Sequence, residues 1–408
     1  MRIKILKNII FLYGLSIAKI IFPLLTLPYL TRVLSVDCYG VVAYVKAMMQ
    51  YMQITVDFGF MLSGTKDIVN ARDDREKLER EIGDIFIARL FLAFLSLLGV
   101  LIMILILPVL HSSAIYTLLS YGTVFLSIFL FDYYFRGIEK MQILTVRFVL
   151  MRGIAALLTI AFVKSDSDIF LIPLFDLIGS LLAVGLVIYE LKKSAISIKF
   201  TGIRAAVDKL KESFVYFASD MATTVFGALN TLLIGVFLPV MEVAYWSLSI
   251  QLISGVQTMY SPITGGIYPN MIKTKSFSFI KRLLMLFMPI ILIGSICSYF
   301  IAPYILLIVG GKQYIAAQDV FRWLLPVLIF SFPAIVLGWP TLGALDKAKQ
   351  VTNTTVLSAI VQIICLLLLL VLGYFNIFWI AVSRCLTELV LMLSRGAYCW
   401  KYKNEFNE

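Results

Sequence analysis

Charge is scarce in this sequence, histidine is nearly absent and the cysteines do not cluster. Only 14% of the 408 residues are charged against 61% hydrophobic, with a mean hydropathy of +0.96, which excludes an ordinary soluble globular protein. The five cysteines (Cys38, Cys297, Cys365, Cys385 and Cys399) stand far apart, so neither a disulfide framework nor a thiolate metal centre is expected. The single histidine, His111, falls in a short loop and reads as incidental. No HExxH, GxSxG or phosphate-loop motif occurs, and no acidic loop cluster could seat a metal with a phosphate. The chain therefore reads as a non-enzyme without cofactor or metal. External loops of only about 5 to 12 residues also speak against a membrane glycan polymerase or ligase. Without a nucleotide site, any transport has to be passive or ion-coupled.

What the sequence has is long apolar runs. Twelve segments suffice to cross a hydrocarbon core of roughly 30 Å: 9–30, 36–61, 82–107, 114–135, 148–163, 169–189, 213–238, 244–268, 283–309, 320–345, 352–372 and 376–394. The opening MRIKILKNIIFLYGLSIAKII stays apolar for too long, and without a cleavage site, to be a secretory signal, so the first helix is expected to be retained. A net charge of +11 invites the thought of nucleic acid, but the placement of Lys and Arg removes it. With the N-terminus inside, 26 of the 35 fall in cytoplasmic segments, three (Arg32, Lys164 and Lys312) in external loops, and six within spans. That asymmetry is the positive-inside bias, with both termini cytoplasmic, and needs no polyanion.

A hydrophilic stretch, ELKKSAISIKFTGIRAAVDKLKES, divides the chain near its middle. Shifting the sequence by half its length lays Ser16, Lys19, Pro23 and Thr26 on Asp220, Thr223, Gly227 and Asn230. The same shift lays Gln50, Gln53 and Asp57 on Ser254, Gln257 and Ser261. Such weak internal symmetry predicts parallel repeats. The expected architecture is an all-α polytopic membrane protein of about twelve transmembrane helices, in two pseudo-symmetric six-helix lobes (1–200 and 201–408) around a central cavity.

The matching residues are polar, and that is the informative part. Lys46, Gln50, Gln53 and Asp57 recur at steps of four, three and four, so they share a helix face; Ser247, Gln251, Ser254, Thr258, Ser261 and Gly265 do the same. For Ser, Thr and Gly, cementing of helix pairs is an equal explanation. It serves the lysines poorly, because a charge at the bilayer centre costs about 2.5–3.5 kcal/mol even on the lenient scale. Lys19 and Lys46 are thus expected to face a ligand or a buried partner. Asp57, Asp176 and Asp220 are candidates for ion coupling or for pairing with lysine. Arg89, Arg152, Asp132 and Asp57 lie near expected helix ends, where snorkelling or loop anchoring is an equal reading. Arg384 and Glu388, at i and i+4, read as a structural pair. Pro23, Pro28, Pro262, Pro326, Pro333 and Pro340 are expected to bend cavity-lining helices.

The stretches LKNIIFLYGLSIAKIIFPLLTLPYLTRVLSVDCYG, VDFGFMLSGTKDIVNARDD, KESFVYFASD and SPITGGIYPNM, and more weakly FRWLLPVLIFSFPAIVLGWPTLGALDKAKQ, resemble the Wzx-type flippases for lipid-linked oligosaccharides. That family belongs to the multidrug/oligosaccharidyl-lipid/polysaccharide exporter superfamily. Ser35 departs from it, relatives usually having glycine there. The resemblance implies a bacterial inner-membrane protein moving undecaprenyl-diphosphate-linked O-antigen or a similar unit from the cytoplasmic to the periplasmic leaflet. Alternating access, coupling to a cation gradient, and polymerase and ligase partners are further implications. On this view Lys19 and Lys46 hold the diphosphate, while Gln50, Gln53, Asn230, Gln251 and Gln257 contact sugar. A drug antiporter of the same superfamily is the alternative and calls for an acidic, aromatic cavity.

Overall fold

In the computed structural model the chain is nearly all helix. The structure describes residues 2–407, apart from the side chains at positions 2–10, 12, 20, 225, 226, 261, 262, 265 and 269. The expected stripe members Ser261 and Gly265, and the bend at Pro262, therefore lie outside the described residues. Contacts divide the chain into two compact units, Met1–Met221 and Ala222–Glu408.

The first unit opens with α1 (Arg2–Val33) and α2 (Val36–Asp57). Ser35 caps α2 by accepting from the Cys38 amide at 3.2 Å. The end of α2 is set by Phe58 and Gly59, both with positive φ (41° and 76°), the first donating its N–H to the Ile54 carbonyl as a left-handed cap. The expected span 36–61 thus stops at Asp57 and turns into α3 (Ser63–Ala71). Any side chain at position 59 would collide with Tyr216 and Phe217, whose ring stacks on Phe58 at 4.4 Å.

Next come α4 (Arg75–Ile106), α5 (Ala114–Leu126), a short α6 (Asp132–Gly137), α7 (Met141–Phe162), α8 (Leu171–Lys193) and α9 (Ile203–Thr224). Asp74 caps α4 through the Lys77 amide at 3.2 Å. At about 1.5 Å per residue the 32 residues of α4 outrun a hydrocarbon core, leaving its first turns beyond it. The hydrophilic midpoint segment is laid against those turns. Glu79 accepts from the Ser197 amide at 3.2 Å and the Lys199 ammonium at 2.9 Å, and Asp84 accepts from the Thr201 amide at 2.9 Å. Gly83 is obligatory here, since a Cβ would lie 1.9 Å from the Lys199 carbonyl oxygen. Phe60, Ile68, Ile82, Ile85, Phe135 and Val187 form the apolar core beneath.

The second unit continues with α10 (Asn230–Phe237), α11 (Val240–Thr258), α12 (Tyr260–Thr274) and α13 (Phe277–Gly310), then α14 (Gln318–Leu324), α15 (Pro326–Val336), α16 (Ala348–Val371) and α17 (Ile377–Lys401). Two breaks are repaired locally. A π turn over Val225–Leu229 interrupts the run from α9 to α10. After α15, Gly338 leaves helical geometry (ψ −118°) just before Pro340. Pro340 cannot donate to the Val336 carbonyl, and Thr341 Oγ1 supplies that bond at 2.8 Å. The Ala334 carbonyl accepts from Arg395 Nη1 at 2.6 Å.

Among the described residues nine helices are long and apolar enough to cross a membrane, or ten with the bent α9–α10 pair, against twelve expected. The two missing segments are those around α2 and α11–α12, which carry the longest polar stripes. Polar residues lower the hydropathy of α2 and of the 19-residue α11, and the break at Met259 leaves α12 with only 15 residues. Prolines 23 and 28, expected to bend α1, sit inside an unbroken helix.

Candidate functional site: a cationic cavity in the first unit

Two adjoining cavities of about 440 and 470 Å³ lie within the first unit, sharing Lys19, Thr123, Phe148, Arg152 and Asp176 in their walls. One continues past Gln53, Ser127, Asp57, Arg89, Asp132, Arg136 and Arg147; the other past Lys46, Tyr116, Ser120 and Thr159. α1, α2, α5, α7 and α8 each contribute polar groups, so the cavity is built at their junction. Six basic and three acidic side chains line it.

Those charges divide by partner. Arg89 is buried, and its guanidinium reaches Asp57 at 2.7 Å and the Val56 and Ile128 carbonyls at 3.4 Å each. These carbonyls lie two and three residues before left-handed Phe58 and Phe131, where helical hydrogen bonding stops, so Arg89 staples two helix ends. Asp57 also accepts from Gln53, which donates in turn to Ser127 at 3.0 Å. Arg147, likewise buried, pairs with Asp132. Arg152 and Asp176 meet at 3.1 Å, with side chains 49% and 32% exposed.

Lys19 and Lys46 are different. Both are exposed in the cavity walls, and neither makes an ion pair within contact distance among the described residues. Lys19 Nζ stands 5.9 Å from the centre of the Phe148 ring, a cation–π contact. Arg136 lines the first cavity, also without an ion pair among the described residues.

Of the other sequence candidates, Gln53 lines the cavity, whereas Gln50 is exposed and lines neither part of it. Asp220 is half-buried on α9. Gln251 and Gln257 are half-buried on α11 of the second unit. Asn230 is fully buried there, accepting from Gln362 Nε2 at 3.0 Å, while Gln362 also donates to Ser383 at 3.2 Å and accepts from Thr387 at 2.6 Å. A side chain so enclosed offers nothing to a sugar in this conformation. Arg384 and Glu388 are buried and 2.6 Å apart.

Sequence reasoning misplaced Arg152. α7 begins at Met141 and not at 148, which moves Arg152 from a helix end to the middle of the helix, facing the cavity. The same early start draws Arg147 out of the loop assigned to it. Opposite charges in two neighbouring apolar spans, Arg152 and Asp176, were the available signal. Arg89 and Asp57 are not snorkelling residues but an ion pair tied to helix ends.

A many-spanned membrane protein whose first unit encloses a net-cationic cavity is what fold and site define. The chain belongs to the polysaccharide biosynthesis protein family, whose model matches residues 5–275. The "Putative O-antigen transporter" of Shigella dysenteriae is 26% identical over 397 residues, covering 95% of this chain and 98% of its own. A protein of the same name from Escherichia coli (strain K12) is 25% identical over 293 residues, or 70% of this chain and 69% of its own. Among solved structures, the lipid II flippase MurJ in an inward closed conformation matches with a TM-score of 0.75 at 13% identity, over 98% of this chain and 87% of that one. An inward-facing multidrug resistance MATE family transporter of the MOP superfamily matches with a TM-score of 0.74 at 12% identity, over 94% and 95%. At these identities the structures establish a shared fold.

Proposed function

We propose that this protein is a flippase that carries undecaprenyl-diphosphate-linked O-antigen or similar repeat units across the bacterial inner membrane, from the cytoplasmic to the periplasmic leaflet. The cavity is exposed alternately to the two faces, driven by a cation gradient, in a membrane topology with both termini cytoplasmic and lobes of 1–200 and 201–408. Family membership and the O-antigen transporter relatives support the substrate class.

The observation that carries this reading is the pair of cavity-lining lysines beside Arg152, which make no ion pair among the described residues. An ammonium in an apolar protein needs an anionic partner or water, and a cavity holding two of them beside a loosely paired guanidinium favours a multiply charged anion. Lysine binds phosphate as a point charge and arginine as a fork, so a diphosphate suits the set. Amide and hydroxyl groups from Gln53, Ser120, Thr123 and Thr159 offer the neutral hydrogen bonds that sugar requires. An antiporter for organic cations would need the opposite balance of charge.

The test is surface glycan display in a deletion strain complemented with Lys19→Ala or Lys46→Ala. Display should fall sharply at unchanged protein level; normal display from both variants defeats the assignment.

A further inference from the structure

Three arginine–aspartate pairs line the cavity, and they are not equivalent. Arg89 is buried and bound to two backbone carbonyls as well as to Asp57, and Arg147 is buried against Asp132. Removing either aspartate would strand a buried guanidinium. The Arg152–Asp176 pair is the exception: both side chains are substantially open to the cavity, and one 3.1 Å contact is the whole of it. No other hydrogen bond holds either charged group among the described residues. An ion pair so exposed contributes little, because water competes for both members.

Charge counting sharpens the contrast. In the second of the two adjoining cavities Lys19, Lys46 and Arg152 share the wall with Asp176, an excess of two positive charges. A diphosphate diester, the linkage of a lipid-linked sugar, carries on the order of two negative charges near neutral pH, one per phosphorus. An incoming diester therefore neutralises the set with Asp176 still ionised, provided the carboxylate gives up its hold on Arg152.

We propose that Asp176 is an exchangeable counter-ion: it occupies the Arg152 guanidinium in the empty cavity, is displaced when the diphosphate binds, and displaces the diphosphate again on release. Asp176 is thus a positioning residue that trades affinity for turnover. It keeps Arg152 oriented and solvated without leaving it so avid that the lipid cannot depart. This rests on the reading of the cavity as a diphosphate site.

The test uses the purified full-length protein and farnesyl-diphospho-glucose, a short-chain diphosphate diester, as probe. Asp176→Asn should bind it about five- to tenfold more tightly than wild type, the gain appearing mainly as slower dissociation. In proteoliposomes the same variant should flip the probe more slowly. A merely structural role would lower binding and flipping together. Lys19→Gln and Lys46→Gln should bind less tightly. If those two are weakened while Asp176→Asn binds no better than wild type, the cavity reading stands and the counter-ion exchange is overturned. Unchanged binding in the lysine variants would remove the site itself. Should Asp176→Asn fail to fold, infrared spectroscopy of wild type with ¹³C-labelled aspartate provides the second arm. The probe should shift a carboxylate stretch that is missing from Asp176→Glu, and no shift overturns the exchange.

Discussion

Both units tie buried polar groups together within apolar helices, and the first adds cations that line a cavity. In the second unit several groups answer one another: Gln362 bonds to Asn230, Ser383 and Thr387, Arg384 to Glu388, and Arg395 to the Ala334 carbonyl, Thr354 and Thr355. In the first unit Lys19 and Lys46 face a cavity with no ion-pair partner among the described residues, and Arg152 holds its aspartate by one exposed contact. The lesson is that a polar stripe in an apolar helix does not by itself declare a transport path. Satisfied groups maintain the fold; on the function proposed above, the cations beside the cavity await a ligand.

Breaking this contrast should cost most in the second unit. Arg384→Ala or Glu388→Ala breaks a buried ion pair and should lower stability by about 3–5 kcal/mol, while Arg384→Met with Glu388→Leu should recover most of it. Thermal unfolding of purified protein in detergent measures both, and a small effect of either single change would mean that water reaches the pair. Next in size come Lys19→Ala and Lys46→Ala, each removing a charged contact worth about 1.5–3 kcal/mol to a bound diphosphate, or roughly ten- to hundredfold in affinity. Their unfolding temperatures should barely move, which separates them from the first group. Gln362→Leu should destabilise by about 1–3 kcal/mol through the partners it abandons, with glycan display falling only as far as the protein level does. Smallest is Gln50→Ala: an exposed side chain outside the cavity should change stability by less than about 0.5 kcal/mol and leave display as it is. A large loss of display from that variant would place Gln50 in the path.

Much of this was readable from the chain, and the failures have physical causes. The spacing of Lys46, Gln50, Gln53 and Asp57 was enough to put them on one helix face, because helical periodicity is local, but not to tell that Gln50 lines neither cavity. That Lys19 and Lys46 line a cavity agrees with the expectation drawn from solvation cost. Helix ends were harder. The onset of α7 at Met141 gives no hydropathy signal, since Gln142 and Arg147 resemble loop residues until tertiary contacts bury the arginine against Asp132. The breaks at Phe58, Met259 and Gly338 depend on backbone geometry: at Phe58 a bulky residue adopts a left-handed conformation that no propensity favours. Nor could the stripe pattern separate Asn230 from Lys46. Both occupy polar positions in apolar segments; only the presence of Gln362 across from the first makes it a closed structural group.

Accessibility of these two positions to a water-soluble thiol reagent tests that distinction most directly. In full-length protein with Cys38, Cys297, Cys365, Cys385 and Cys399 replaced by alanine, Lys46→Cys should react readily with a charged methanethiosulfonate. Inorganic pyrophosphate should slow that reaction, and Asn230→Cys should stay unreactive. An inert cysteine at 46, or one at 230 that reacts equally fast, would contradict the account.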